Sequence, residues 1–210
     1  MEEKSGTTAH LEEWTPRAVQ KKTFTPRIIG IMGKIGSGKS TAAAHLEKYM
    51  LERTHMAWRR VAFAERLKNA VAAFGGIDPQ LLYTTEGKAR FCEAAGKSYG
   101  AVLQDVGMMF RNQFGVDVWV NACFSGREDQ CLIVEDVRYE NELAAIKKRG
   151  GFVIKLTRNC KVDVSGRDLS HPSETTVDKM KGDVELANDG TLEHFYTLLE
   201  CAVHKPWVQQ

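Results

Sequence analysis

An apolar run, Ile28-Ile29-Gly30-Ile31-Met32, passes directly into Gly33-Lys34-Ile35-Gly36-Ser37-Gly38-Lys39-Ser40-Thr41, and no other stretch of the chain restricts the fold so tightly. A β-rich segment that ends in G-x-x-x-x-G-K-S and continues into a helix builds a phosphate cradle from converging backbone N–H groups. Gly33, Gly36 and Gly38 supply backbone conformations that other residues resist. Lys39 is placed to reach β- and γ-phosphates, and Ser40 to offer its hydroxyl to Mg²⁺. The helix expected from Lys39 to about Leu51 turns its positive N-terminal end toward the same anion. Ile35, Ser37 and Thr41 complete the nucleotide-binding loop. Lys34 is an extra cation that reads either as a phosphate contact or as a solvated lysine, since the motif gives that position no role.

Beyond the loop, helical and strand signals alternate. Trp58 to Phe63 reads as a short strand and Arg66 to Phe74 as a helix closed by Gly75-Gly76, followed by a turn at Asp78-Pro79. Ala101 to Phe114 has helical spacing, and Val116 to Phe124 starts a further helix. Cys131 to Val134 is a clear strand bounded by Glu135-Asp136. The segment from Tyr139 to Lys148 is a helix ending at Gly150-Gly151, and Phe152 to Leu156 is the next strand. A polar stretch from Arg158 to about Thr175 interrupts the rhythm before a short strand at Val184 to Ala187 and a closing amphipathic helix from Thr191 to Val203. This alternation predicts an α/β fold: a parallel sheet with helices on both faces, in which ligands belong at the carboxyl ends of the strands.

At 210 residues and 43% hydrophobic content, the chain suits a single core. Residues 1–26 mix Glu, Lys, Thr and Pro without periodicity and are expected to form a flexible extension before a domain spanning 27–210. A formal net charge of +2, with no long basic block, argues against nucleic acid as the main partner. No apolar run approaches the roughly 20 residues that cross a bilayer, so no membrane partner is expected and the anticipated setting is the cytoplasm. Cys92, Cys123, Cys131, Cys160 and Cys201 are scattered without C-x-x-C spacing and read as reduced, mostly buried thiols. The histidines show no metal-ligand spacing, leaving nucleotide-associated Mg²⁺ as the expected metal.

Charged groups at strand ends are the next candidates. Asp136 and Arg138 are separated by one residue, so in an extended segment both side chains emerge on one side, while Glu135 faces the other way. A carboxylate and a guanidinium beside a phosphate loop suit phosphoryl transfer, the first organising Mg²⁺ or a nucleophile and the second neutralising phosphate charge. The plainer alternative is an ion pair capping the following helix.

The phosphate loop, Phe63-Ala64-Glu65-Arg66-Leu67-Lys68, Leu103-Gln104-Asp105-Val106-Gly107, Arg111, Asp117-Val118-Trp119-Val120, Asp136-Val137-Arg138-Tyr139-Glu140-Asn141-Glu142, His171-Pro172-Ser173-Glu174 and Asn188-Asp189-Gly190-Thr191-Leu192-Glu193 occur in a telling order. That ordered set resembles the phage and viral deoxynucleoside monophosphate kinases, over about residues 28–203. The resemblance implies a three-layer P-loop kinase fold with acceptor-binding and lid insertions, ATP as phosphoryl donor with Mg²⁺, and small-molecule partners. It also leaves open a homodimer and a viral origin. By the same resemblance Lys39, Asp136, Arg138 and Arg158 are the catalytic candidates, with Asp136 also near the metal, and Gly33 to Thr41 hold ATP. Lys68, Gln104, Arg111, Trp119, Arg138, His171 and Glu174 are placed around the acceptor. Arg158, Lys161 and Arg167 fall in the lid.

Plainer readings stand beside these roles. The lid is also a solvated polar loop. Lys68 and Arg111 also read as helix-surface cations pairing with Glu65, Asp105 or Asp117, and Trp119 reads as core. The chain departs from the family pattern at Glu65-Arg66, Gly100-Ala101 and Met108-Met109, all in the presumed acceptor region. Phosphomevalonate and dephospho-CoA kinases resemble the chain at some of the same places, and a nucleotide-dependent switch acting on a protein partner is the alternative of another class.

Overall fold

The computed structural model describes residues 27–159 and 172–207, the side chains of 172–175 and 205–207 excepted. Five parallel strands form the central sheet: β1 (Ile28–Gly33), β2 (Trp58–Val61), β5 (Cys131–Val137), β6 (Phe152–Thr157) and β7 (Val184–Ala187), in the order β2-β5-β1-β6-β7. Crossover between parallel neighbours requires helices, which cover both faces. Helices α1 (Lys39–Thr54) and α8 (Leu192–Trp207) cover one; α5 (Val118–Phe124) and α6 (Glu140–Lys148) cover the other.

Alternation along β1 sorts the core. Ile29 and Ile31 join Ala42, Leu46, Met50, Phe195 and Leu199 on the α1/α8 face, whereas Ile28 and Met32 join Val120, Phe124 and Ile146 on the other. Gly30 lies on the second face because a Cβ there would come within 2.8 Å of Ile146 Cδ1. Burying such side chains contributes roughly 1.5–3 kcal/mol each.

A third apolar cluster stands apart from the sheet, between α2 (Glu65–Gly75) and α4 (Tyr99–Phe114). It gathers Leu67, Val71, Ala72, Leu82, Cys92, Tyr99, Val102, Leu103 and Trp119. Between these helices the chain forms a 3₁₀ turn at Pro79–Tyr83, the short helix α3 (Thr85–Ala89) and an antiparallel pair, β3 (Phe91–Cys92) with β4 (Lys97–Ser98). The sequence predicts only the turn at its start; elements this short bury too little to leave a periodic signal. Helix α7 (Pro172–Lys179) likewise falls partly in the stretch that reads as irregular.

The strand β5 extends through Glu135 and Asp136 to Val137, and it contains a bulge. Gly30 pairs with Val134 but Met32 with Val137, so β5 carries one extra residue where Glu135 and Asp136 lie. Strict alternation would send Val137 to the opposite face from Leu132 and Val134, yet all three belong to one cluster. The side-chain directions read from alternation at this point are therefore reset by the bulge.

Candidate active site

The phosphate loop leaves β1 at its carboxyl end and enters α1 at Lys39. Gly38 occupies the left-handed region at φ 96°, where a Cβ would meet Asn188 Nδ2 at 2.5 Å. A Cβ on Gly33 would meet Ser37 Oγ at 2.5 Å and the Leu156 carbonyl at 2.6 Å, so close packing with β6 fixes that glycine. Lys39 Nζ donates to the carbonyls of Gly33 (2.8 Å) and Lys34 (2.7 Å), which lays the ammonium along the inside of the loop. Ser37 is buried, and its hydroxyl oxygen has no hydrogen-bond partner. Ile35 is half-buried, whereas Ser40 and Thr41 are exposed at the start of α1. Lys34 forms an exposed ion pair with Asp178 of α7 at 2.8 Å.

Asn188, which the sequence presents only as part of a motif, supports the loop from behind. Its side-chain amide donates to the Ser37 carbonyl at 3.1 Å and its backbone N–H to Thr157 at 2.8 Å. The adjacent Asp189 accepts from the Asn159 N–H at 2.7 Å. An asparagine in an Asn-Asp-Gly turn is the one signal a sequence offers here, and the turn explains it equally well.

On the neighbouring strand, Asp136 accepts backbone N–H bonds from Phe63 (2.7 Å) and Ala64 (3.0 Å). It thus anchors the two residues that lead into α2, not the helix that follows it in sequence, with one bond to each carboxylate oxygen. Glu135, expected to face elsewhere, pairs with Arg60 of β2 at 2.9 Å.

Lys68 lies one turn into α2, with Nζ 3.5 Å from the centre of the Tyr83 ring. Burial lowers its pKa below the ordinary lysine range; the Asp136 and Glu135 carboxylates oppose that shift, Arg138 adds to it, and Glu65 opposes it. These interactions put Lys68, Asp136 and Arg138 in one electrostatic cluster at the end of β5.

Arg111 approaches from α4. Its guanidinium donates to Glu142 Oε1 (3.2 Å) and to the Val116 carbonyl (3.3 Å), and lies 4.1 Å from the Tyr139 ring centre. The carboxylates that the plainer reading pairs with Lys68 and Arg111 hold other partners. Glu65 holds Arg127 at 3.0 Å, Asp105 holds Lys97 at 2.6 Å, and Asp117 accepts from Asn141 at 2.9 Å. Glu65, a departure from the family pattern, thereby ties the start of α2 to the end of α5.

Glu142 closes the motif that begins at Asp136, and sequence reasoning assigns it no role. It is 2% exposed and accepts from the backbone N–H groups of Arg138 (2.8 Å) and Tyr139 (3.1 Å) as well as from Arg111. Burial pushes its pKa up to about 7 and the Asp136 charge pushes the same way, against the opposing pull of these donors.

Beside this cluster opens a groove of about 510 Å³ lined by Val116, Tyr139, Glu140, Asn141, Thr176 and Lys179.

Other expected site residues fall outside the cluster. Trp119 is buried, donates its indole N–H to the Gly107 carbonyl at 3.1 Å and packs on Phe110, so it serves the core and offers no face to a ligand. Gln104 is exposed on α4, two turns before Arg111. Arg158 is exposed just past β6. His171, Lys161 and Arg167 lie outside the described residues, and Glu174 belongs to α7 with its side chain undescribed. Among the described residues no three His, Cys, Asp or Glu side chains gather to hold a metal, and no helix is long and apolar enough to cross a membrane.

A G-K-S loop running from a central parallel strand into a helix, at the carboxyl edge of the sheet, defines a P-loop α/β protein. Among named proteins, the chain is similar to a mimivirus protein called "Putative deoxynucleotide monophosphate kinase" (Acanthamoeba polyphaga mimivirus). The two are 28% identical over 195 residues, covering 83% of this chain and 95% of that protein. This agrees with the resemblance drawn from the motifs. No family model matches the chain. Solved structures overlap it loosely. The APS kinase of Mycobacterium tuberculosis, in complex with AMPPNP and APS, aligns at TM-score 0.43 and 13% identity, covering 86% of this chain and 98% of that one. The shikimate kinase of Aquifex aeolicus aligns at TM-score 0.40 and 14% identity, covering 85% and 97%. Overlaps this loose carry no functional weight.

Proposed function

We propose that the protein is an ATP- and Mg²⁺-dependent kinase that transfers the γ-phosphoryl group to a deoxynucleoside 5′-monophosphate, giving the diphosphate and ADP. One observation carries the reading. Cations from separate elements, Lys68 of α2 and Arg138 of the β5–α6 turn, share the field of Asp136 at the end of the strand beside the phosphate loop, with Arg111 of α4 bound to the same turn through Glu142. The name of the mimivirus relative supports the choice of acceptor.

The loop fits a nucleotide's phosphates: its glycines at 33 and 38 admit no Cβ without collision, its lysine lies along the inner carbonyls, and Ser37 keeps a buried hydroxyl unpartnered. Gly33 to Thr41 would hold the ATP phosphates and Ser40 would ligate Mg²⁺. That ion supplies charge neutralisation at the phosphate oxygens when bound. Lys39 would follow the charge of the transferring group, while Lys68, Arg111 and Arg138 would hold the acceptor phosphate in line. Asp136 would act by fixing α2 and hence Lys68. An anionic acceptor is already a nucleophile, so no strong base is required. Arg158 would join the lid over the transferring group and exclude water.

The test is ADP release from ATP and Mg²⁺ with dTMP, dGMP, dCMP, dAMP, their ribose counterparts, phosphomevalonate and dephospho-CoA, with product mass confirmed. Stimulation by a deoxynucleotide is expected. Stimulation by phosphomevalonate or dephospho-CoA alone replaces the acceptor, and silence across the panel refutes the kinase.

A further inference from the structure

We propose that Glu142 is the positioning residue of the acceptor site, aiming the Arg111 guanidinium with one carboxylate oxygen while the other fixes the backbone that carries Arg138. The inference rests on the kinase reading above. It goes further in giving Glu142 the task of holding two acceptor cations in mutual register.

The geometry divides cleanly between the two oxygens. Oε2 accepts the N–H groups of Arg138 and Tyr139 at 2.8 and 3.1 Å, and Oε1 accepts Arg111 at 3.2 Å. Position alone explains the first part: Glu142 is the third residue of α6, where a glutamate side chain reaches back to cap the helix start. A cap works equally well from solvent, however, and burying a carboxylate is costly unless a charged partner repays the desolvation. Glu142 is nevertheless buried, and the group meeting it is the guanidinium of Arg111, from a helix 31 residues earlier.

Arg111 is positioned from three directions: Glu142, the Val116 carbonyl, and the face of Tyr139. Those two hydrogen bonds use two of the five donors a guanidinium carries, so the fork can hold phosphate oxygens while keeping its anchor. Tyr139 also lines the groove that opens beside the pair. An arginine tethered only by its own flexible stem would have to be ordered anew at each binding event.

The test combines kinetics with the nitrogen resonances of the Arg111 side chain, assigned by their loss in Arg111→Met. In Glu142→Gln the carbonyl oxygen can still cap the turn, but its amide faces Arg111 without attraction. At pH 8, where the Glu142 carboxylate is ionised, the KM for dTMP and dGMP is then expected to rise on the order of tenfold or more, with the KM for ATP unchanged, and the guanidinium resonances to shift and broaden as one of their three anchors is lost. Added to Arg111→Met, the same change should have no further effect on acceptor KM. If Glu142→Gln does not fold, Glu142→Asp retains the charge, withdraws it by one methylene and is expected to show the same pattern.

Equal losses for ATP and acceptor, or an equal effect with and without Arg111, reduce Glu142 to a helix cap and overturn the proposal. An unchanged guanidinium signal in an active variant overturns Glu142's role alone. A wild-type protein inert toward every acceptor overturns the kinase reading, and the role with it.

Discussion

The proposed donor and acceptor sides of this site are built from opposite materials. The phosphate loop is one unbroken segment in which backbone geometry and glycines do most of the work, and an asparagine just past β7 braces it from behind. The proposed acceptor side is an assembly of side chains from α2, α4 and the β5–α6 turn, held by two carboxylates that each bind a pair of backbone N–H groups. A contiguous loop depends on its shape as a whole. A side-chain assembly can lose one member and keep the others, so damage should be graded and confined to one substrate.

The sharpest test of that contrast is Lys39→Ala. Turnover should fall by about 10³-fold with the fold intact, as expected when a charge that tracks the transition state is removed; near-normal turnover in a folded variant would sink the ATP-site assignment. Arg138→Ala should cost less, about 10²-fold in acceptor-dependent rate. ATP affinity by titration should hold, and a matching loss there would erase the distinction between the two sides.

Glu142 provides a third probe through its pH dependence. Its folded pKa of about 7 exceeds its ordinary value of 4.5, so below pH 7 the folded state retains a proton that the unfolded chain sheds, and the carboxylate that pairs with Arg111 forms as pH rises through 7. The associated stability is present below the unfolded value and is lost as pH rises through 7. Denaturation should show wild type losing on the order of 2 kcal/mol relative to Glu142→Gln between pH 5 and 7; parallel profiles would contradict it. The smallest effect is expected from Asn188→Ala. Removing one hydrogen bond to the loop, worth about 1 kcal/mol, should raise the ATP KM about fivefold and leave the acceptor KM alone.

The same contrast governs what the amino-acid sequence discloses by itself. The loop announces itself because its physics is local: glycines, a lysine and a serine at fixed spacing. Strands β1, β5 and β6 are equally legible from their apolar runs, as is α2 with its Gly76 closure at φ 64°. Glu142 stays hidden because an N-terminal helix glutamate is ordinary, and nothing in periodicity tells of a partner on another helix. Asp136 stands out as a strand-end carboxylate, but its attachment to α2 depends on long-range packing and its direction on a bulge that alternation cannot foresee. Trp119 illustrates the opposite risk: an aromatic residue in a site motif holds the α4–α5 cluster together.

The strand order has a consequence for how such a protein can diversify. β1, which launches the loop, and β5, which carries Asp136 and ends beside Arg138, are immediate hydrogen-bonded neighbours. Adjacent strands lie about 4.8 Å apart, a spacing set by peptide chemistry and indifferent to side-chain identity. The sheet therefore acts as a ruler between the two halves of the proposed reaction. Substitutions in the satellite cluster of α2 and α4 can reshape what is gripped while the ruler stays fixed, so recognition can drift over evolutionary time without recalibrating the transfer itself.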